Sequence, residues 1–258
     1  MRLLPLGCGG FIPAHGRQTM CFLVVDGGEA LLLDAGSGLA RLLEPRVAAA
    51  LPPGDRLDIV LTHYHLDHVV GLSYLPGLAR DRRVRIFAPA APLTESGPEA
   101  LERLIAPPLF PVRFEAWPMP VEIVPYAGPE LVVGRFELRV RAQRHPGGSA
   151  GLRLDDRLAY LTDTVVDPAS AEFVAGVDTL LHEVWLTAEE AGTEDAGRTG
   201  HSAAPGVADL ARRAEVGRLM PVHHHPRRTT ADLEALALDL AARAGRDVLL
   251  PAEGDSLA

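Results

Sequence analysis

Three imidazoles and one carboxylate lie within six positions of the sequence, at His63, His65, Asp67 and His68. They follow an apolar run, residues 57–62, that predicts a short buried strand. Side chains two apart in an extended chain point the same way, so the first two histidines can bind one ion. The aspartate and the last histidine, where a helix begins, can face a second ion. Imidazole and carboxylate ligands without thiolate suit zinc first, with manganese and iron(II) as alternatives.

Composition excludes several other chemistries. The 258 residues include no lysine and no asparagine, so all 25 basic residues are arginine. Schiff-base catalysis, a phosphate-binding P-loop lysine and a Cys/His/Asn nucleophile system each need a side chain that is missing. The two cysteines, Cys8 and Cys21, are too few for a disulfide framework and are expected to be thiols.

Charge and hydropathy limit the partners. A formal net charge of -9 offers no general attraction to nucleic acid or to an anionic membrane. The chain shows neither a signal-peptide pattern nor an apolar stretch of membrane-spanning length, which predicts a cytoplasmic protein without a membrane partner.

Strands and helices alternate in both halves of the chain, which favours a layered α/β fold. Helical periodicity is seen over residues 38–51, 67–78, 99–105, 170–175, 202–214 and 230–244. Predicted strands occupy residues 2–6, 20–25, 30–33, 57–62, 84–88, 135–142, 151–154, 158–162, 179–183, 218–222 and 248–250. Residues 89–129 are proline-rich and poorly periodic. Residues 189–200 are acidic and small, which predicts a surface loop beside the site.

The motif His63-x-His65-x-Asp67-His68 after a strand resembles the signature of the metallo-β-lactamase superfamily. The resemblance covers nearly the whole chain and is closest to the ribonuclease Z-like and cyclic-phosphodiesterase-like branch, because residues 6–10 with Pro13, and residues 33–36, are similar to that branch's first turns. It implies a four-layer αββα sandwich in one domain, residues 1–258. The alternative for the motif itself is a polar loop of hydrogen-bonded histidines.

The same resemblance implies three further ligands and hence a centre of two divalent metal ions. His145 matches the third histidine on the first metal, Asp163 the aspartate that bridges both metals, and His223 the last histidine, on the second metal. Taken singly, each has a structural alternative, since a lone histidine or a strand-closing aspartate is often a capping or core group. Alternation places His223 and His225 on one face, and the family offset favours His223.

Two later segments, residues 178–185 and 200–203, resemble the His-Glu and His-Ser segments of ribonuclease Z-like enzymes. The resemblance implies that Glu183 orients His201, which can protonate the leaving oxygen. A carboxylate partner is expected to keep the imidazole protonated near neutral pH. The alternative is a buried structural ion pair.

These features predict a binuclear hydrolase of a small or cyclic phosphodiester, in which Asp67 and Asp163 hold the attacking water-derived group. Rival hypotheses are a carboxylic-ester, lactone or thioester hydrolase and a non-catalytic metal-binding sensor or RNA-binding protein. His145 and Asp163 are too close in sequence for the arm that grips the tRNA elbow in tRNA-processing members, so folded tRNA is expected to be an unlikely partner. Relatives in this branch are often dimers, which makes a homodimer a further expectation.

Overall fold

Two mixed β-sheets form the centre of the molecule in the computed structural model, which describes residues 1–192 and 199–255. The first sheet contains, in spatial order, β1 (Arg2–Gly7), β2 (Cys21–Asp26), β3 (Glu29–Leu33), β4 (Arg56–Val60), β5 (Arg83–Pro89) and β6 (Val121–Tyr126). Strands β1 to β3 are antiparallel neighbours, and β3 to β6 are parallel.

The second sheet contains β7 (Glu130–Val133), β8 (Phe136–Gln143), β9 (Ser149–Leu154), β10 (Leu158–Leu161), β11 (Thr179–Glu183), β12 (Arg218–Val222) and β13 (Asp247–Val248), again in spatial order. Strands β7 to β10 are antiparallel neighbours, whereas β10 to β13 are parallel. Parallel strands place their carboxyl ends at one edge, which makes that edge the natural place for a site.

Helices cover both outer faces of the sheet pair. The described α-helices are α1 (Pro45–Ala48), α2 (Leu66–Val69), α3 (Leu75–Leu78), α4 (Glu99–Leu104), α5 (Ser170–Phe173), α6 (Ala204–Arg213) and α7 (Thr230–Ala244). A central apolar cluster joins the two sheets, as where Phe22 packs edge-on against Tyr160. Separate clusters lie between each sheet and its helices. The predicted α/β fold with four αββα layers is therefore confirmed.

Local breakers shorten several predicted helices. Residues 38–51 form a 3₁₀ segment, Ser37–Leu43, and the short α1, which begins at Pro45 because proline cannot continue the preceding turn. Residues 67–78 divide into α2, the 3₁₀ segment Val70–Tyr74 and α3. By contrast, α7 spans the whole predicted range, since Thr229 and Asp232 form a capping box and Gly245 ends the helix at φ 59.

Two strands, β6 and β7, were not predicted from the sequence. Strand β6 lies at the edge of the first sheet, where Pro125 is tolerated because an edge residue has one side without ladder partners. Strand β7 pairs with β8 across a tight turn at Gly134, φ 58.

Two predictions from the sequence extend past the described residues. Residues 193–198 of the predicted surface loop, and residues 256–258 of the predicted single domain, lie outside them, so the domain boundaries stay a prediction. None of the described helices is long and apolar enough to cross a bilayer.

Candidate metal centre

Strand ends from both sheets supply the candidate ligands. His63 follows β4 by three residues, His145 follows β8 by two, Asp163 follows β10 by two and His223 follows β12 directly. Asp163 and His223 adopt left-handed backbone, at φ 51 and 53. Such conformations are uncommon without glycine, and they occur where a chain must turn sharply to aim a side chain. These strand ends, together with His65 and the first residues of α2, bring all seven predicted ligands close together.

One group of candidate ligand atoms comes from His63, His65, His145 and Asp163, all within 4.8 Å of one another. Asp163 Oδ1 lies 3.5 Å from His145 Nε2 and 3.8 Å from His63 Nε2. His145 Nε2 lies 3.1 Å from His65 Nδ1. This group brings together three imidazole nitrogens and one carboxylate oxygen.

A second group comes from Asp67, His68 and His223, again within 4.8 Å of one another. Asp67 Oδ2 lies 3.2 Å from His223 Nε2 and 3.6 Å from His68 Nε2. Asp163 Oδ2 lies 3.0 Å from His68 Nε2 and 3.4 Å from His223 Nε2. The two oxygens of Asp163 therefore face different groups.

These distances fit divalent cations. Two ligands at about 2.1 Å from a tetrahedral zinc ion are about 3.4 Å apart, near the separations above. Among the described residues, the buried Nε2 atom of His63 lacks any hydrogen-bond partner, an arrangement that is costly unless a cation takes its lone pair. The donor set and its geometry thus suit two divalent ions.

Asp34 and Thr62, to which the sequence pattern assigned no role, fix the tautomers of two candidate ligands. His68 Nδ1 donates to Asp34 Oδ2 at 2.9 Å, which leaves the Nε2 lone pair for a metal. The single hydroxyl hydrogen of Thr62 is directed to Asp34, also 2.9 Å away. The Thr62 oxygen can then accept from His63 Nδ1, 3.0 Å away. Asp34 also accepts from the Tyr160 hydroxyl at 2.7 Å, so this carboxylate is fully enclosed by donors.

His145 is oriented by a backbone group. Its Nδ1 donates to the carbonyl oxygen of Gly200 at 3.0 Å, which again leaves Nε2 for a metal. Gly200 has φ 76, and a Cβ added there would lie 2.4 Å from Pro146. Only glycine fits this close approach, so the segment entering His201 is held against His145.

Electrostatics also favour cation binding. Burial lowers the pKa of His63 well below its ordinary value, so this imidazole is neutral and able to ligate. Burial alone would lower the pKa of His68, but the carboxylates of Asp163, Asp67 and Asp34 raise it well above the ordinary value. A cation would replace that proton, so metal binding and proton release are linked.

Glu183 and His201 lie beside the candidate metal ligands. His201 Nδ1 donates to Glu183 Oε2 at 2.9 Å, and Glu183, which is fully buried, also accepts from the Thr164 amide. A nitrogen of His201 belongs to a further group with Asp163 and His223 within 4.8 Å. Since Nδ1 is occupied by the carboxylate, Nε2 is the atom left for a reacting group.

The protonation of His201 differs from expectation. Burial lowers the pKa of this imidazole, and the nearby carboxylates of Asp163 and Asp67 raise it only in part. The imidazole therefore does not hold its second proton permanently at neutral pH. An incoming phosphate would add negative charge and favour the imidazolium.

Trp185 is another contact that the sequence did not reveal. Its ring stacks on His201 with centroids 4.7 Å apart and an interplanar angle of 19°. The ring of His225 meets the same indole edge-on at 4.5 Å. His223 supplies the candidate ligand atom, and His225 is in none of the ligand groups among the described residues.

Comparison with known proteins agrees with this geometry. A sequence model of the family described as "Beta-lactamase superfamily domain" matches residues 29–224. A protein named ribonuclease Z from Metallosphaera sedula is 29% identical over 265 residues, which cover 86% of this chain and 88% of that protein. Another ribonuclease Z, from Bradyrhizobium sp., is 35% identical over 150 residues, 55% of this chain and only 46% of that protein.

Solved structures share the fold over the full length. The metallo-beta-lactamase fold protein YhfI from Bacillus subtilis has a TM-score of 0.78 at 20% identity, covering 99% of this chain and 98% of that chain. The short form of human tRNase Z has a TM-score of 0.68 at 20% identity, covering 100% and 99%.

The expectation that folded tRNA is an unlikely partner is therefore wrong. It rested on net charge and on the short segment between His145 and Asp163, yet relatives are named ribonuclease Z and a tRNase Z has this fold along the whole chain. Net charge is a sum over the molecule and does not describe the surface at one site. Exposed arginines do lie near the candidate ligands: Arg144 directly precedes His145, and Arg227 follows His223 by four positions.

The matched family, the candidate ligand groups and the named relatives agree. The chain belongs to the beta-lactamase superfamily as a metal-dependent hydrolase.

Proposed function

We propose that this chain is a binuclear phosphodiesterase, in which two divalent cations bind the scissile phosphate and His201 serves the leaving group. The observation that carries the proposal is the position of Asp163. Its Oδ1 faces His63 and His145, and its Oδ2 faces His68 and His223. A carboxylate divided between two ligand groups is suited to bridge two ions.

Seven nitrogen and oxygen ligands would hold the pair: His63, His65, His145, Asp67, His68, His223 and the shared Asp163. Bound there, the cations would neutralise phosphate charge and lower the pKa of a water molecule. Zinc suits the imidazole-rich set first, with manganese and iron(II) as alternatives.

The protein's own groups would complete the reaction. Asp67 Oδ2 accepts from the Phe11 amide at 2.7 Å, which fixes the carboxylate that is to orient the attacking water. Attack on phosphorus breaks the bond to the leaving oxygen, which then needs a proton. His201 Nε2 would supply it while Glu183 holds Nδ1.

Phosphodiesters of two sizes fit the proposed centre. Small or cyclic phosphodiesters are the first candidates. Precursor tRNA joins them because relatives carry the name ribonuclease Z and a tRNase Z shares the fold. Carboxylic esters, lactones and thioesters are the rival class, because the same centre can polarise a carbonyl group.

A substrate panel tests the proposal. Zinc- and manganese-loaded protein would be assayed with bis(p-nitrophenyl) phosphate, a 2′,3′-cyclic nucleotide, a precursor tRNA, an acyl lactone and a thioester. We expect metal-dependent hydrolysis of at least one phosphodiester with kcat/KM well above that of the lactone and the thioester. Faster hydrolysis of either carbonyl substrate would overturn the proposal. The same would follow if the metal-loaded protein cleaved nothing in the panel, an outcome that favours a sensor.

A further inference from the structure

The loop after β1 contains a strained aromatic residue beside the metal centre. Ile12 N–H donates to the Gly10 carbonyl at 2.8 Å, so Phe11 is the central residue of a three-residue γ-turn, with φ 66. A bulky side chain is rarely found in left-handed backbone, whereas glycine adopts it without strain. Strain of this kind persists where the surrounding structure and function require it.

This turn contacts two candidate ligands, Asp67 and His223. The Phe11 amide donates to Asp67 Oδ2 at 2.7 Å, and Gly10 N–H donates to the His224 carbonyl at 3.0 Å. A Cβ added at Gly10 would lie 2.6 Å from the His223 ring. The backbone that carries the Phe11 side chain is therefore in contact with the candidate metal centre.

Exposed apolar residues occur on both chain segments that meet at the hydrogen bond from Phe11 to Asp67. Phe11 is 68% exposed, its neighbour Ile12 is 48% exposed, and Leu66, which stands between two candidate ligands, is 61% exposed. They are three of the eight large apolar side chains exposed among the residues that the structure describes. Three exposed apolar residues so close in sequence to candidate ligands offer an apolar surface beside the site.

The hydrogen bond to Asp67 does not explain the aromatic ring. Every residue except proline has the same amide, and glycine would place it without backbone strain. The phenylalanine ring thus needs a second reason. Its exposure, on backbone beside the candidate metal ligands, favours contact with another part of the substrate. Aromatic rings bind nucleobases by stacking, and every base offers a π-face.

We propose that Phe11, flanked by Ile12 and Leu66, is a stacking platform for a nucleobase next to the scissile phosphate. This inference rests on the proposed phosphodiesterase function and narrows its substrates to nucleotide-bearing phosphodiesters. The three side chains carry no hydrogen-bonding groups, so the platform accepts different bases with little discrimination.

The first experiment compares two esters with the same leaving group, thymidine 5′-(p-nitrophenyl phosphate) and methyl p-nitrophenyl phosphate. Phe11→Gly removes the ring, keeps the amide and suits the positive φ; Phe11→Trp keeps a stacking surface. The kcat/KM ratio of thymidine to methyl ester should fall about tenfold in the glycine variant, mainly through KM, as loss of one base stack gives. In Phe11→Trp the ratio of the two kcat/KM values should stay near that of the wild type. Equal losses on both esters would overturn the platform and indicate a role limited to Asp67.

Leu238→Ala is the matched control, because this leucine is 74% exposed on α7. It should leave the ratio as in the wild type. A parallel assay with precursor tRNA separates two sources of the base. If Phe11→Gly lowers kcat/KM for the thymidine ester alone, the platform binds small nucleotides; if it lowers kcat/KM for both substrates, the platform binds RNA as well. A loss on neither overturns it.

Direct binding distinguishes failure of this inference from failure of the proposed function. Calorimetry would measure thymidine 5′-monophosphate and inorganic phosphate binding to the metal-loaded protein. We expect Phe11→Gly to weaken the nucleotide about tenfold more than phosphate. That result would support the platform even if the wild type hydrolysed neither ester. Equal weakening of both ligands would refute it.

Discussion

Asp34 Oδ2 lies 2.9 Å from His68 Nδ1, although 34 positions separate the two residues in sequence. The carboxylate follows β3 directly, in left-handed backbone at φ 58. It joins His68, Thr62 and Tyr160 in one fully buried network behind the candidate ligands. Carboxylates in this position orient a ligating imidazole and increase its basicity.

Asp34→Asn should therefore weaken metal binding while leaving every ligand in place. We expect a loss of zinc affinity of about 10- to 100-fold, the range found for groups that support metal ligands. Competition with a chromophoric chelator measures it. Asp58→Asn is the matched control, because Asp58 is a buried carboxylate paired with Arg56 and Arg85 on the same sheet. Equal zinc affinity in the two variants would contradict the assignment of Asp34.

The role of His201 predicts a dependence on the leaving group. His201→Ala should lower kcat about 10²- to 10⁴-fold for a phosphodiester with an alkoxide leaving group, which needs a proton. It should lower kcat far less for bis(p-nitrophenyl) phosphate, whose leaving group is acidic. Because burial lowers the pKa of His201, the protonated form is lost as pH rises, and kcat/KM for the alkoxide substrate should fall along that limb. Similar losses on both substrates would indicate a structural ion pair with Glu183.

Trp185 should hold the His201 ring in place through the stacking contact at 4.7 Å. Trp185→Leu is expected to lower kcat by about 3- to 10-fold with a smaller change in KM, consistent with an aromatic pair of about 0.5–1.5 kcal/mol. Trp185→Phe should recover most of the loss.

Trp117→Phe is the control for Trp185, because Trp117 packs against Phe110 and Phe114 in the cluster beneath the first sheet. It should change stability and not kcat. If Trp185→Leu changed only the free energy of unfolding, the positioning role would be wrong.

The sequence predicted the candidate ligands better than their supports. His63, His65, Asp67 and His68 are recognisable because local spacing alone brings them together. Asp34 and Tyr160 meet across 126 positions and two sheets, so no local pattern connects them. Likewise, β6 contains Pro125, which argues against a strand unless the strand is known to be an edge. The exclusion of tRNA failed for a related reason, because net charge contains no information about which surface each arginine occupies.

Acid stability should depend on a histidine outside the metal centre. His182 is fully buried on β11, and its Nδ1 donates to the Glu183 carbonyl at 2.8 Å. Its Nε2 has no hydrogen-bond partner among the described residues. Burial lowers the pKa of His182 to about 4. The folded state therefore favours the neutral ring, and this contribution to stability is complete above the unfolded pKa of about 6.5.

As pH falls from about 6.5 toward 4, the unfolded chain takes up a proton that the folded protein resists. The wild type should then lose up to about 3 kcal/mol of unfolding free energy that His182→Leu does not lose. Urea unfolding at pH 7.5, 5.5 and 4.5 measures the difference between the two proteins, and metal release common to both cancels. The exposed His15→Gln variant should follow the wild type. A pH dependence of His182→Leu identical to that of the wild type would show that this ring is not the acid-sensitive group.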